Sequence, residues 1–377
     1  MRLSRQALLL AMMLIGAVPV SATPAEAQTT MRDRQWYLQT LNVAAAHQLS
    51  TGDGVIVGLL DSGVGPHPDL DGRILDGFSY VPSNPSSLID GAGHGSAMAG
   101  IIAANGGTDD HLLGIAPHAK ILSIRTGSAS KSLGRTNIPD GIRWAVDHGA
   151  TVLNISEGGK LERGGEDAVR YALEHDVVIV AGSGNIAAFA PGTGVIEPAA
   201  FPGVIAVSAV DRTGTVWDGA IGGPEVVLTA PGVDIPTVCA EGGGRLAGYY
   251  PSSNGTSNAT AVVSGAAALI RAKYPQMPAR DVIQRLISTA DDAGPPGRDP
   301  DYGYGRLNLL KALTADIPAT DTNPLLPTAV TPTPGSAVDR AGNSRSSGIW
   351  IAAAGGCMVL VLAGVAGGVV AGRRRRT

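Results

Sequence analysis

The stretch VIVGLLDSG, residues 55–63, contains the clearest structural signal in the chain, an apolar run that stops at Asp61, Ser62 and Gly63. A short continuous run of this kind, bounded by turn-forming residues, is typical of a strand that is buried on both faces. Such strands occur mainly in parallel sheets, because helices there cover both faces. The run therefore predicts a central strand with Asp61 at its carboxyl end.

The rest of the body repeats this pattern and alternates it with helical segments. Further apolar runs lie at residues 119–124, 151–155, 177–181, 204–210 and 226–229, and helix-like stretches at 96–104, 138–148, 165–175 and 258–273. The alternation predicts an α/β fold with a mostly parallel sheet and helices on both faces. In such sheets polar chemistry gathers at the carboxyl ends of the strands, where Asp61, Ser156 and Asn185 fall.

Three polar segments contain residue types suited to nucleophilic catalysis. Asp61 follows the first strand, His94 lies in GHGSAMAG, and Ser257 lies in NGTSNAT. A serine hydroxyl is a weak nucleophile unless a base removes its proton and a third group orients that base. Distant parts of a chain can supply all three groups. Each residue alone is more often a turn or packing residue, so it is the combination that favours catalysis.

Composition excludes several other classes of protein. The chain has 377 residues, of which 44% are hydrophobic, and this is enough for a substantial core. Its net charge is −4 and its basic residues form no stripe through the body, which argues against nucleic-acid binding. Aromatic residues make up only 4%, which gives little support to carbohydrate binding. Two cysteines, Cys239 and Cys357, are too few for a disulfide scaffold or a Cys-ligated zinc module.

The two ends of the chain predict export and membrane anchoring. Residues 1–27 have the order of a secretory signal peptide: basic residues, an apolar run and a small-residue cleavage site. The apolar run is short for an uncleaved anchor, which is the alternative. Residues 348–371 form an uncharged apolar run of 24 residues, long enough for a transmembrane helix. Four arginines follow and predict a cytoplasmic tail at 372–377, with the body outside.

The segment between body and predicted span, residues 315–347, is rich in Pro, Thr and Ser and predicts an extended tether. Residues 28–314 are then the catalytic body. With Cys357 in the predicted span, Cys239 is expected to be a buried or free thiol. Residues 28–34 are too short for a folded unit of their own, so no inhibitory pro-domain is expected.

The three polar segments resemble the motifs of the subtilisin-like serine proteases. The Asp motif lies at residues 61–64 with HPDL at 67–70, the His motif at 94–100 and the Ser motif at 255–259. The resemblance extends over about residues 35–313. It implies a subtilisin-like fold and the hydrolysis of peptide bonds by a serine endopeptidase.

The same resemblance implies a role for each site residue. Ser257 is the nucleophile, His94 is its general base, and Asp61 orients His94. Asn185, in GSGN at residues 182–185, is an oxyanion donor.

A substrate-binding wall is implied at Ser156, Glu157 and Gly158. Glu157 stands where an apolar residue is usual in this family. A partly shielded carboxylate there predicts a preference for Lys or Arg near the cleaved bond. A Glu157 turned to solvent is the alternative.

Signal peptide, tether, single span and basic tail together resemble the mycosins, membrane-anchored subtilisin-like proteases associated with type VII secretion. QWYL at residues 35–38 is similar to the start of that group. The resemblance implies a type VII secretion membrane complex as partner and a protein or peptide substrate. Its alternative is a structural stabiliser of that complex with secondary proteolysis. No cofactor is implied; Asp109 and Asp110 suit calcium by ligand type, but such pairs are more often solvated.

Overall fold

The central feature of the fold is a parallel sheet in the computed structural model, which describes residues 29–82, 85–127, 137–161, 164–239 and 250–327. The strands in these ranges are β1 (Ile56–Asp61), β2 (Ile74–Ser79), β3 (Lys120–Arg125), β4 (Val152–Ile155), β5 (Val178–Gly182), β6 (Ile205–Val210), β7 (Val226–Pro231), β8 (Ile235–Pro236) and β9 (Ser252–Ser253). Seven of them form the sheet in the order β2-β3-β1-β4-β5-β6-β7, and β8 pairs separately with β9. Every neighbouring pair in the larger sheet is parallel.

The inner strands are apolar because helices cover both of their faces. Every residue of β4, β5, β6 and β7 is buried. The predicted α/β fold with a parallel sheet is confirmed, and each of the six predicted runs is a strand to within about two residues. The sequence did not predict β2, because this edge strand is only half-buried and its sequence ILDGFS mixes polar and apolar residues.

The helices in the described ranges are α1 (Met31–Arg34), α2 (Trp36–Thr40), α3 (Val43–His47), α4 (His94–Ala103), α5 (Ile138–Asp147), α6 (Gly165–Glu174), α7 (Thr256–Lys273), α8 (Ala279–Ser288) and α9 (Leu309–Thr314). The four predicted helices correspond to α4, α5, α6 and α7. Both α4 and α7 begin two residues earlier than predicted. His94 and Ser257 therefore lie in the first turn of a helix.

Helix α7 is the central support of the fold. Of its 18 residues, 15 are buried, as expected of a helix that is surrounded by other elements. It packs mainly against the strands β4 to β7, and it also contacts β1. At Gly265 a Cβ atom would lie 2.6 Å from the Cβ of Ile115, so only glycine allows this close approach. The nucleophile candidate Ser257 thus stands at the start of a rigid, buried helix.

Strands β1, β4 and β5 bring polar residues to one edge of the sheet. Asp61 is the last residue of β1, Ser156 follows β4, and Asn185 follows β5. Parallel strands place their carboxyl ends on the same side, so these three residues converge as the sequence predicts.

The last described residues, 320–327, lie on the side of the sheet opposite to these carboxyl ends. After α9, the backbone N–H of Thr320 donates to Asp281 Oδ1 at 2.8 Å, near the start of α8. The N–H of Gly203, just before β6, donates to the carbonyl of Leu325 at 3.2 Å. Residues 320–327 therefore lie against the amino ends of the strands, across the sheet from Asp61 and Asn185.

Several sequence predictions lie outside the described residues. These are the signal peptide at 1–27, the span at 348–371 and the tail at 372–377. Within the ranges that the structure does describe, none of the helices combines the length and apolarity needed to cross a bilayer. Cys239 does fall within these ranges and is a half-buried free thiol.

Candidate active site

Asp61 and His94 form the best-defined polar contact of the cleft. Nδ1 of His94 lies 2.8 Å from Oδ1 and 2.9 Å from Oδ2 of Asp61. Asp61 is 2% exposed, whereas the His94 side chain is 39% exposed. A carboxylate at Nδ1 holds the proton on that nitrogen and leaves Nε2 as the basic atom. Asp61 thus orients His94 so that Nε2 is the ring nitrogen that can act as a base in the cleft.

The surroundings of His94 favour its protonated form. Removal from water lowers the pKa of the imidazole, but the charge and hydrogen bond of Asp61 raise it. The charges of Glu157 and Asp90 raise it as well, and the pKa rises to about 9. These charges stabilise the imidazolium that forms when His94 accepts a proton.

Ser257 lies in the same cleft. This cleft has a volume of about 380 Å³, and its lining includes all seven predicted site residues: Asp61, His94, Ser156, Glu157, Gly158, Asn185 and Ser257. The hydroxyl of Ser257 donates to the carbonyl oxygen of Ser156 at 3.0 Å. In return the hydroxyl of Ser156 donates to the carbonyl oxygen of Ser257 at 3.2 Å. These two bonds tie the start of α7 to the end of β4.

Asn185 is oriented by the residue before Ser257. Its Oδ1 accepts from both the N–H and the hydroxyl of Thr256, each at 3.0 Å. Because these bonds occupy the carbonyl end of the amide, Nδ2 is the end directed toward Gly255, where a Cβ atom would lie 3.4 Å from it. The Asn185 amide therefore presents a donor beside Ser257, as an oxyanion donor requires.

Glu157 lies in the cleft lining and not in open solvent. It accepts a hydrogen bond from the Thr126 hydroxyl. Burial raises the pKa of Glu157, and the charge of Asp61 raises it further. Thr126 and His94 lower it, and the resulting pKa is about 7. The half-buried side chain is thus a titrating group in the cleft.

Sequence reasoning missed Asp90, the polar residue that holds the start of α4. Asp90 is 3% exposed. Its carboxylate accepts four hydrogen bonds, from the Ser62 hydroxyl and the backbone N–H groups of Ala92, Gly93 and Ser96. The available signal was the glycine-rich start of a helix, which leaves several N–H groups that need an acceptor.

The proposed calcium ligands show no metal-binding arrangement. Asp109 and Asp110 are exposed. The carbonyl of Asp109 accepts a hydrogen bond from the N–H of Arg32 at 2.9 Å. Across the part of the chain that the structure describes, no group of three or more His, Cys, Asp or Glu residues is arranged to hold a metal ion.

Comparison with known proteins identifies the family. Residues 52–305 match the Subtilase family. The chain is 34% identical to the Thermostable alkaline protease of Halalkalibacterium halodurans, over 74% of this chain and 73% of that protein. The chain therefore belongs to the subtilase family and is a subtilisin-like serine protease.

Within this family the chain is related to the mycosins, which confirms the resemblance seen in the sequence. It is 32% identical to Mycosin-3 of Mycobacterium tuberculosis, over 89% of this chain and 83% of that protein. It is also similar to a chain in the structure of an intact ESX-5 inner membrane complex, with a TM-score of 0.66 and 30% identity. That match covers 83% of this chain and 86% of the other.

Proposed function

We propose that the protein is a membrane-anchored extracytoplasmic serine endopeptidase in which Asp61, His94 and Ser257 form the catalytic triad. The observation that supports this best is the contact of His94 Nδ1 with both oxygens of the buried Asp61, 2.8 and 2.9 Å away, in the cleft that Ser257 also lines.

The reaction follows from this arrangement. When a peptide occupies the cleft, the Ser257 hydroxyl turns from the Ser156 carbonyl and attacks the peptide carbonyl carbon. His94 Nε2 takes the hydroxyl proton and later donates it to the leaving amine. Asn185 Nδ2 and the Ser257 N–H donate to the oxyanion. Water then hydrolyses the acyl-enzyme, with His94 again as base.

Covalent labelling tests the triad. A fluorophosphonate should label the full chain, and Ser257→Ala should abolish labelling because the attacking oxygen is gone. Ser252→Ala, a change at an exposed serine five residues away, is the matched control and should label normally. Equal labelling of the Ser257→Ala protein would refute the assignment.

For substrate binding we propose that Ser156, Glu157 and Gly158 form one wall of the cleft and that Glu157 favours basic side chains near the cleaved bond. The position of Glu157 in the cleft lining supports this. Because its pKa is about 7, the preference for Lys and Arg should grow as the pH rises through 7. A peptide library cleaved at pH 6 and pH 8 measures this. A basic preference that persists unchanged in Glu157→Leu would refute the role.

For localisation we propose the domain order inferred from the sequence: signal peptide 1–27, protease domain 28–314, tether 315–347, transmembrane helix 348–371 and cytoplasmic tail 372–377. The first part of the tether, up to residue 327, packs against the protease domain instead of extending into solvent. The similarity to a chain of an inner membrane complex supports membrane association. Protease added to intact protoplasts should digest the body and spare a C-terminal tag. A protected body would contradict this topology.

A second function is favoured by the same similarity: structural stabilisation of a type VII secretion complex, with proteolysis secondary. A strain carrying Ser257→Ala separates the two. Normal secretion would favour the structural role, whereas loss of secretion with an intact complex would favour the peptidase. Pulldown of the Ser257→Ala protein from membranes should identify protein substrates and complex partners.

A further inference from the structure

Asp90 is a buried carboxylate surrounded entirely by donors in its immediate contacts. Oδ1 accepts from Ser62 Oγ and Gly93 N at 2.8 Å and from Ala92 N at 3.0 Å, and Oδ2 accepts from Ser96 N at 2.8 Å. An ionised carboxylate only accepts hydrogen bonds and therefore satisfies all four donors. In a protonated carboxyl group, the O–H would face one of these four donors and leave it without an acceptor. The arrangement therefore holds a negative charge at the start of α4.

Asp90 is connected to both members of the Asp61–His94 pair. Gly93 precedes His94 and Ser96 follows two residues later, so the bonds to Asp90 clamp the backbone on each side of His94. The Ser62 hydroxyl, which donates to Asp90, also accepts from the N–H of Gly95 at 3.0 Å. The Ser62 N–H donates to Asp61 Oδ1 at 2.7 Å. Asp90 thus fixes the turn that carries His94 relative to the turn after Asp61.

Other charged groups face the same region. Asp61 and Glu157 line the cleft beside His94. Arg125, 5% exposed, passes along Gly91, where a Cβ atom would lie 3.8 Å from Nη2 of the guanidinium. The charges of Asp61, Glu157 and Asp90 therefore all act on His94, and Asp90 is the carboxylate held by three backbone N–H groups.

We propose that Asp90 is a positioning residue for the reaction, which clamps the His94 turn against Asp61 and adds a fixed negative charge that stabilises the His94 imidazolium. This inference rests on the proposed role of His94 as general base.

The decisive variant is Asp90→Asn. Removal of the negative charge destabilises the imidazolium, so the pKa of His94 should fall, by about half a unit to one unit. The His94 titration is followed by NMR in the ¹⁵N-histidine-labelled full chain carrying Ser257→Ala, with the signal assigned by its loss in His94→Gln. An unmoved His94 titration in Asp90→Asn would overturn the charge role. This readout does not depend on turnover.

With Ser257 intact, kcat of Asp90→Asn should fall between about 10- and 100-fold while KM changes little, because a misplaced base slows the chemical step. Ser62→Ala separates positioning from charge. It removes the hydroxyl that joins Asp90 and Gly95 to the turn after Asp61 but keeps the Asp90 carboxylate, so kcat should fall several-fold with the His94 titration unmoved. A normal kcat in Ser62→Ala would overturn the positioning role, even if Asp90→Asn fails to fold.

Asp76→Asn is the matched control. Asp76 is an exposed carboxylate that bonds Ser87 at 3.0 Å, and its loss should change neither kcat nor the titration. A parent protein that is not labelled by a fluorophosphonate would refute the proposed peptidase function, while the His94 titration would still decide the role of Asp90.

Discussion

The first N–H groups of α4 and α7 donate to different kinds of side chain. Each helix begins after a glycine, carries a candidate catalytic residue in its first turn, and needs acceptors for its first N–H groups. At α4 the acceptor is the Asp90 carboxylate, which takes the N–H of Ser96. At α7 the acceptor is the neutral Asn185 amide, which takes the N–H of Thr256.

This difference follows the charges of the proposed reaction. Positive charge develops on His94 when it accepts a proton, so a negative anchor at its helix stabilises the transition state. Negative charge develops on the substrate oxygen beside Ser257, where a carboxylate anchor would repel it. A neutral amide there satisfies the helix through Oδ1 and still offers Nδ2 as a donor. The side chain that accepts from the start of each helix is therefore suited to the charge that forms beside it: a carboxylate beside the imidazolium and a neutral amide beside the oxyanion.

The strongest test asks whether the two helix starts act as one unit. We expect Ser257→Ala and His94→Ala each to lower kcat by about 10⁶, because neither residue works without the other. For the same reason the double variant should be no slower than either single variant. Steady-state cleavage of a peptide measures all three. Losses that multiply in the double variant would show that the two residues act independently.

Asn185 allows the charge of the α7 anchor to be changed at constant shape. Asn185→Ala removes the oxyanion donor and should lower kcat by about 10²–10³. Asn185→Asp keeps the acceptor for Thr256 but replaces the donor with a negative charge, so its kcat should be lower still. Thermal melts should show that Asn185→Asp retains the fold. An Asn185→Asp enzyme faster than Asn185→Ala would contradict the electrostatic account.

The smallest effect is expected at Glu157, whose charge also favours protonated His94. The base must be neutral to act, so activity should rise with pH through the His94 pKa of about 9. Glu157→Gln removes one negative charge and lowers that pKa, so the rise in kcat/KM should move to lower pH, by less than about one unit. Glu166→Gln, at an exposed position of α6, is the control. Superimposable profiles for the Glu157→Gln and parent enzymes would show that Glu157 does not act on His94.

The sequence predicts the sheet and the convergence of the site because both depend on strong local signals. Buried parallel strands are continuous apolar runs, and the residues that follow them must meet at one edge. Helix α8 has a local signal as well, because its buried apolar residues Val282, Ile283, Leu286 and Ile287 have helical spacing.

Asp90 could not be predicted in the same way. An aspartate in a glycine-rich loop looks solvated, and its burial depends on the packing of distant segments. One example is the approach of the residue 89 backbone to Gly63, where a Cβ atom would lie 2.2 Å from the Ile89 carbonyl oxygen. The environment of Glu157 likewise depends on Thr126, which lies 31 residues away in sequence. Contacts between side chains that are far apart in sequence produce no periodic pattern from which they could be predicted.

The exit of the chain at the amino edge of the sheet has a practical consequence for how the enzyme is presented. Residues 320–327 lie against α8 and the loop before β6, across the sheet from the cleft. A surface or resin that holds the protein through a linker joined after Pro327 would therefore contact the side of the domain that carries the amino ends of the strands. The carboxyl ends of the strands, where the cleft lies, would face away from that surface.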